Sequence, residues 1–334
     1  MLRRTCTVLV LATSTAAFLL PATGATKADE RGSRQLMELR DGDRIAFLGN
    51  SFFERALDHG HIETSLTLRW PERQLTFRNL GWDGDTVYGH SRAGGRRRAV
   101  FGDPEEGFSR MIAHVLALDP TVVIVAYGYN ESFDGEAGVE PFRQGLERLL
   151  DALGSDRRRF VLLSPTPMEA GFGTELAFGR HGGGASARSY APQRNATLGL
   201  FRDVIADTAQ NGGHAFVDLF GALGNAMGTY SEDGIHPSEN GYREIARIIG
   251  DQLKMPPPRI DLDSEPAERI RAAIVKKNTL YFHRWRPRND AFVYGERKDE
   301  QKIAQTEPEQ FEPFVARSEE VVRRLVGEHA VSKP

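Results

Sequence analysis

The sequence predicts an α/β protein in which a five-stranded parallel sheet carries helices on both faces. Three observations predict it. Short apolar runs alternate with longer amphipathic stretches, the pattern of strand–helix–strand units whose crossovers place helices on both sides of a parallel sheet. The segment Thr121-Val-Val-Ile-Val-Ala126 is an apolar run, as a strand buried on both faces requires. Segments rich in Gly, Asn, Asp and Ser follow the predicted strands, and parallel sheets bind ligands beyond the carboxyl ends of their strands.

In chain order, Arg44-Ile-Ala-Phe-Leu48 predicts the first strand, and residues 75–79, 121–127, 160–164 and 215–218 predict the other four. The stretches between them have helical length and period, over residues 52–68, 106–118, 139–153, 192–210 and 238–253. Gly171 to Ala191 breaks the alternation. It is rich in Gly, Ser and Ala and predicts either a surface loop near the sheet rim or an insertion without a role. Met255-Pro-Pro-Pro258 ends the last helix and marks a boundary. Beyond it, residues 267–282 predict another helix, 291–294 a short strand, and 314–326 a final amphipathic stretch.

The first residues predict a secretory signal. Met1-Leu-Arg-Arg4 is a positive start, Thr7 to Leu20 an apolar stretch too short for a membrane span, and Thr23-Gly24-Ala25 a small-residue cleavage site, with a second after Ala28. The plainer reading is an uncleaved anchor. The expected organisation is a signal over 1–25, the α/β domain over 26–254, and a C-terminal helical extension over 255–334 that packs on or near the active-site rim. The protein is expected to be periplasmic or extracellular, with no stable membrane insertion after cleavage. The single cysteine, Cys6, lies in the signal, so a mature chain would hold no disulfide, no cysteine-ligated metal and no cysteine nucleophile. The net charge of −3 becomes −5 when Arg3 and Arg4 are removed, which offers nothing to attract nucleic acid.

Four segments after predicted strands carry chemistry. Ser51 follows the first strand in Leu48-Gly-Asn-Ser51, where its hydroxyl would stand over the sheet edge and its N–H would join a helix start that favours negative charge. By position alone it reads as an N-cap. Asp233-Gly-Ile-His236 places a carboxylate three residues before an imidazole, able to orient it as a general base; alone, it reads as an aspartate–glycine turn. Gly84, in Asn79-Leu-Gly-Trp-Asp-Gly-Asp-Thr86, and Asn130, in Gly128-Tyr-Asn130, offer amides to an oxyanion. Singly they are a turn glycine and a backbone-bonding asparagine. Four such positions on one rim favour the catalytic reading.

Ser51, Gly84, Asn130 and the Asp233/His236 pair, in this order, resemble the SGNH (GDSL-like) hydrolase family over roughly residues 43–253. The resemblance implies a flavodoxin-like three-layer α/β/α sandwich and an esterase, lipase or carbohydrate deacetylase that needs no metal or cofactor. It implies a catalytic triad of Ser51, His236 and Asp233, with an oxyanion hole from the Ser51 and Gly84 N–H groups and the Asn130 amide. Gly49-Asn50-Ser51-Phe52 departs from the usual Gly-Asp-Ser-Leu, so Asn50 keeps the shape of aspartate without its charge. The Asn79–Thr86 segment, Ala126-Tyr-Gly-Tyr-Asn-Glu-Ser-Phe-Asp-Gly135 and Phe282-His-Arg-Trp-Arg-Pro287 are similar to an exported, planctomycete-type subgroup with a C-terminal extension.

These motifs lead to the expectation of a serine esterase removing acyl groups, acetyl foremost, from carbohydrate. A lipid or small-ester hydrolase and a non-catalytic carbohydrate-binding protein on the same fold remain alternatives. The expected partner is a small-molecule or polysaccharide ester. Asn50, Arg284, Trp285 and Arg286 are expected to bind substrate, because aromatics stack on sugars and arginines bind acidic groups. The plainer reading is that Phe282 and Trp285 dock the extension on the core. Arg96-Arg97-Arg98 reads as a solvated loop.

Overall fold

The computed structural model of the protein describes residues 37–92, 104–154, 157–170, 187–224, 229–286, 290–293, 297 and 299–330. The predicted signal, Arg96 to Arg98, residues 171–186 and Pro287 to Asn289 lie outside the described residues.

Strands β1 (Arg44–Gly49), β2 (Thr76–Gly81), β3 (Val122–Ala126), β4 (Arg159–Leu163) and β5 (Ala215–Val217) lie close to their expected positions. They form one sheet in the order β2-β1-β3-β4-β5, and every adjacent pair is parallel. The chain crosses over between β1 and β3, so the crevice at the carboxyl ends of these two strands is the topological switch point. Ser51 and Asn130 follow those two strands.

β3 shows how the sheet is held. Val122, Ile124 and Ala126 join one apolar cluster, with Phe47, Tyr242 and Ile245. Val123 and Val125 join another, with Phe142, Leu149 and Phe201. The period-two alternation feeds both faces, and each buried valine or isoleucine contributes about 1.5–3 kcal/mol. Helices α1 (Ser51–His59), α2 (His61–Arg69), α6 (Leu219–Gly224) and α7 (Glu239–Gln252) cover the first face. Helices α3 (Pro104–Leu116), α4 (Val139–Ala152) and α5 (Ala187–Gly212) cover the second. In α4 the buried Phe142, Leu146, Leu149 and Leu150 recur at helical spacing, forming a single apolar stripe.

Two expectations need correction. The single helix over 52–68 is divided into α1 and α2 at Gly60, whose φ of 69° suits glycine and whose Cβ, if present, would come within 2.9 Å of Val275. The strand expected over 291–294 is, in its described part, the short helix α9 (Asp290–Val293).

The C-terminal residues share the sheet's core. Helix α8 (Glu265–Trp285) starts at Ser264, which caps the Ala267 N–H, and α10 (Glu312–Ala330) packs along it. Ile270 and Ile274 cluster with Leu68, Leu325 and Val326, while Tyr281, Trp285 and Val315 enter the second sheet cluster. Lys277, 2% exposed, pairs with Glu63 at 2.6 Å, and Asn278 donates to the other Glu63 oxygen at 3.0 Å. Such a buried pair costs several kcal/mol when one partner is removed, about 3–5. Residues Gln35–Pro334 therefore form one compact unit. Among the described residues, no helix is long and apolar enough to cross a membrane.

Candidate active site

The nucleophile candidate owes its position to two close approaches. A Cβ on Gly49 would lie 2.6 Å from the Ala126 carbonyl oxygen, and one on Gly81 would lie 2.2 Å from the Glu54 backbone nitrogen. Glycine at 49 lets the end of β1 close on the end of β3, and glycine at 81 lets the first turn of α1 sit directly against the end of β2. Asn50, not Ser51, is the N-cap of α1: its side-chain oxygen accepts the Phe52 N–H at 3.1 Å. The capping role that sequence position suggested for Ser51 thus belongs to its neighbour, and the serine hydroxyl is left for other use. A neutral amide caps as well as a carboxylate here, which accounts for Asn50 in place of aspartate.

The Ser51 hydroxyl donates to the Asp83 carboxylate and accepts the Gly84 N–H at 3.3 Å. Gly84 has a φ of 70°, the left-handed conformation that turns its amide toward the serine. Asn130 donates one side-chain N–H to the Asp85 carbonyl at 2.7 Å; the amide carries a second N–H that can serve an incoming oxygen.

Behind this loop lies a buried charged assembly. Asp85 and Arg92, both inaccessible to solvent, pair at 2.7 Å. Tyr127 donates its hydroxyl to Asp85 at 2.9 Å, and Arg92 also reaches the Leu80 carbonyl at 2.7 Å. The Arg92 guanidinium lies near both the Trp82 and Trp285 rings, 5.3 and 5.7 Å from their centres. Burial disfavours its charge, but the adjacent Asp85 outweighs burial and holds it protonated. Glu131 ties the loop after β3 to the loop after β2, accepting N–H groups from Gly128 at 2.8 Å and Val87 at 2.7 Å. Burial pushes its pKa up to about 7 despite these bonds.

The imidazole is built from local contacts. Asp233 Oδ1 accepts the Ile235 and His236 N–H groups at 3.0 and 2.8 Å, while its Oδ2 lies 2.6 Å from His236 Nδ1. Partial burial works against the Asp233 charge, but the bonds from His236 and Ile235 prevail and hold its pKa below the usual carboxylate value. Glu169 anchors the loop by accepting the Tyr230 and Ser231 N–H groups at 3.0 and 2.7 Å. Ser238 then caps α7.

Asn50, Ser51, Asn130 and His236 line one cavity of about 200 Å³, with Phe52, Tyr129, Phe133 and Ile235 among its apolar walls. Gly84 reaches it through the Ser51 hydroxyl, and Asp233 stands behind His236. The other expected binding residues do not line this cavity. Trp285 is buried edge-on against Trp82 and His114; Arg284 pairs with Glu312 at 3.2 Å; Arg286 pairs with Glu54 and lies 4.1 Å from the centre of the Trp82 ring. Asp83, Asp85, Arg92 and Glu131 carry much of the geometry and were not singled out from the sequence. The only sequence signal for them was the density of acidic residues around Gly84 and after Asn130. Among the described residues, no group of three or more His, Cys, Asp or Glu side chains converges as a metal site would need.

A doubly wound sheet of this order, with a serine, an aspartate-bound histidine and amide donors around its switch point, defines the class of SGNH-type ester hydrolases. The chain belongs to the GDSL-like lipase/acylhydrolase family, whose model matches residues 47–244. That membership makes it an enzyme and sets aside the reading as a non-catalytic binding protein. No curated protein matches it. Among solved structures it is similar to Axe2, an acetylxylan esterase from Geobacillus stearothermophilus, at 19% identity over 65% of this chain and 96% of that one, with a TM-score of 0.47. A GDSL-like lipase from Bacteroides thetaiotaomicron is 17% identical over 68% and 95% of the two chains, TM-score 0.43. BT4096, a gut microbial diltiazem-metabolizing enzyme, is 19% identical over 66% of this chain, TM-score 0.47, and the chain spans about half, 49%, of its length.

Proposed function

We propose that the protein is an exported serine esterase that removes short acyl groups, acetyl foremost, from carbohydrate. The observation that carries this reading is the single small cavity shared by Ser51, Asn130 and His236, with Asp233 bound to the imidazole. In this mechanism the Ser51 hydroxyl turns from Asp83 toward His236 as the ester enters. His236 takes the serine proton as Oγ bonds to the ester carbonyl carbon. The Ser51 and Gly84 N–H groups and the Asn130 amide hold the resulting oxyanion. Collapse breaks the bond to the sugar oxygen, which leaves as an alcohol with the proton from His236. Water then attacks the acyl-enzyme, giving up a proton to His236. As the bond between the carbonyl carbon and Oγ breaks, His236 returns that proton to Ser51 Oγ and the carboxylic acid leaves. Asp233 keeps the imidazole in the required tautomer and stabilises its charged form.

Two features support the substrate class. The cavity, at about 200 Å³, is smaller than the roughly 300 Å³ or more of sites for drug-sized ligands, which favours a short acyl group. Phe133 lines its wall while remaining 53% exposed, with the Arg194 guanidinium 3.8 Å from its ring centre, and offers an apolar ring to a sugar. The largely apolar wall also admits a second reading, a small-ester or lipid hydrolase. The test is acetate release from a panel of acetylated polysaccharides beside a p-nitrophenyl series of rising acyl length. The carbohydrate reading expects release from at least one polymer and a rate that falls steeply beyond the shortest chains. Rates that rise with chain length and no polymer deacetylation would favour the lipid reading.

A further inference from the structure

The contacts of the α1 first turn lead away from the cavity. Glu54, one turn after Ser51, accepts the backbone N–H of Asp83 on the same carboxylate oxygen that binds Arg286. Asp83 is the residue whose side chain holds the Ser51 hydroxyl, and the next residue is Gly84, whose N–H points at that hydroxyl. Arg286 is the C-cap of α8, so its backbone is held by the end of a 21-residue helix, through its own N–H to the Phe282 carbonyl at 2.8 Å. Its guanidinium also lies over Trp82, whose N–H is bound to the Gly49 carbonyl at 3.0 Å. Both residues before Gly84 are therefore gripped, one by its ring and one by its amide.

We propose that Glu54 and Arg286 are positioning residues for ester hydrolysis: through the Asp83 N–H they hold the Gly84 amide and the Asp83 carboxylate in register with Ser51. The inference rests on Ser51 being the nucleophile. It gives the C-terminal extension a task in catalysis without any contact to substrate. The chemistry is that of a charge-assisted bond to a backbone amide: Glu54 alone could swing away from Asp83, and the guanidinium fixes its second lone pair and neutralises its charge. A loop displaced by a fraction of an ångström would misalign an oxyanion donor, and misplacements of about 1 Å can cost roughly a hundredfold in rate.

The experiment compares Glu54→Ala, Arg286→Met, Arg286→Lys and the double variant Glu54→Ala/Arg286→Met. Turnover of p-nitrophenyl acetate is measured together with the rate of Ser51 labelling by a fluorophosphonate, located by mass spectrometry. Arg286→Met keeps an unbranched apolar stem over Trp82 and limits the loss of packing. Glu54→Ala should lower kcat by roughly ten- to a hundredfold with KM near that of the parent, and Arg286→Met by about tenfold. Arg286→Lys should recover part of the loss, the double variant should be no worse than Glu54→Ala, and labelling of Ser51 should slow in parallel. Folded variants that label Ser51 at the parent rate, losses that add in the double variant, or a change confined to KM would overturn the inference. Label found on a residue other than Ser51 would instead overturn the reading of the nucleophile.

Discussion

The two halves of the proposed catalytic cavity, the side of the candidate base and the side of the candidate nucleophile, are held by opposite means. On the base side, the carboxylate, the imidazole and the N–H groups that fix them lie within four consecutive residues, Asp233 to His236. On the nucleophile side the contacts that join the catalytic groups span the chain: Ser51 to Asp83 across 32 positions, Asn130 to Asp85 across 45, and Glu54 to Arg286 across 232. The base side needs only a tight turn and an anchor. The nucleophile side needs the finished sheet, the buried Asp85–Arg92 pair and the last turn of α8. A locally built half tolerates change elsewhere in the protein, whereas a half built from distant parts senses the integrity of the whole fold.

The largest effects should be equal on both sides. Ser51→Ala and His236→Ala should each abolish measurable ester turnover while thermal unfolding stays near that of the parent, since neither side chain is part of the apolar clusters. A folded Ser51→Ala protein that kept most of its activity would remove the nucleophile side from the comparison. Asn130→Ala should come next. Losing an oxyanion donor costs about 3–4 kcal/mol, roughly a hundred- to thousandfold in kcat, with little change in KM. A rise in KM alone would mean that Asn130 binds substrate without stabilising the transition state.

The smallest effect sharpens the contrast through pH. Glu131 ties the two nucleophile-side loops, and its folded pKa of about 7 lies above the ordinary value of 4.5. Between these values the folded protein holds a proton that the unfolded chain releases. Its contribution to stability is therefore fully present below pH 4.5 and lost as pH rises through 7, on the order of 3 kcal/mol in all. Urea midpoints of the parent should fall relative to Glu131→Gln between pH 5 and 8. Other titrating groups are common to both proteins and cancel in the difference. Parallel curves would show that Glu131 titrates as an ordinary glutamate.

This division also governs how much could be read in advance. The alternating apolar runs carry the sheet and most of the helices, because a strand buried on both faces and an amphipathic helix such as α4 write their surroundings into their own spacing. The break at Gly60 is a left-handed backbone, φ 69°, which glycine permits but does not require, so the glycine inside a helical pattern left the break undecided. Ser51 read as a cap by position, and only the Asn50 bond to Phe52 shows which of two adjacent polar residues does the capping. Arg286 read as a ligand for acidic sugar groups, because an arginine beside aromatics shows its capacity to bind anions but not that Glu54 already occupies it.

By itself the sequence determined the parallel α/β architecture and the Asp233–His236 pair, since both depend on residues a few positions apart whose geometry the local backbone sets. It also brought Ser51, Gly84 and Asn130 to one rim by placing each after a strand. Only the tertiary structure decided how that rim is held: Asp83 on the serine, Arg92 locked to Asp85 beside two tryptophans, and the end of α8 bound to the first turn of α1. Charged contacts of this kind have no period and no fixed separation along the chain, so their partners are chosen by packing, which brings together groups that can satisfy one another away from water.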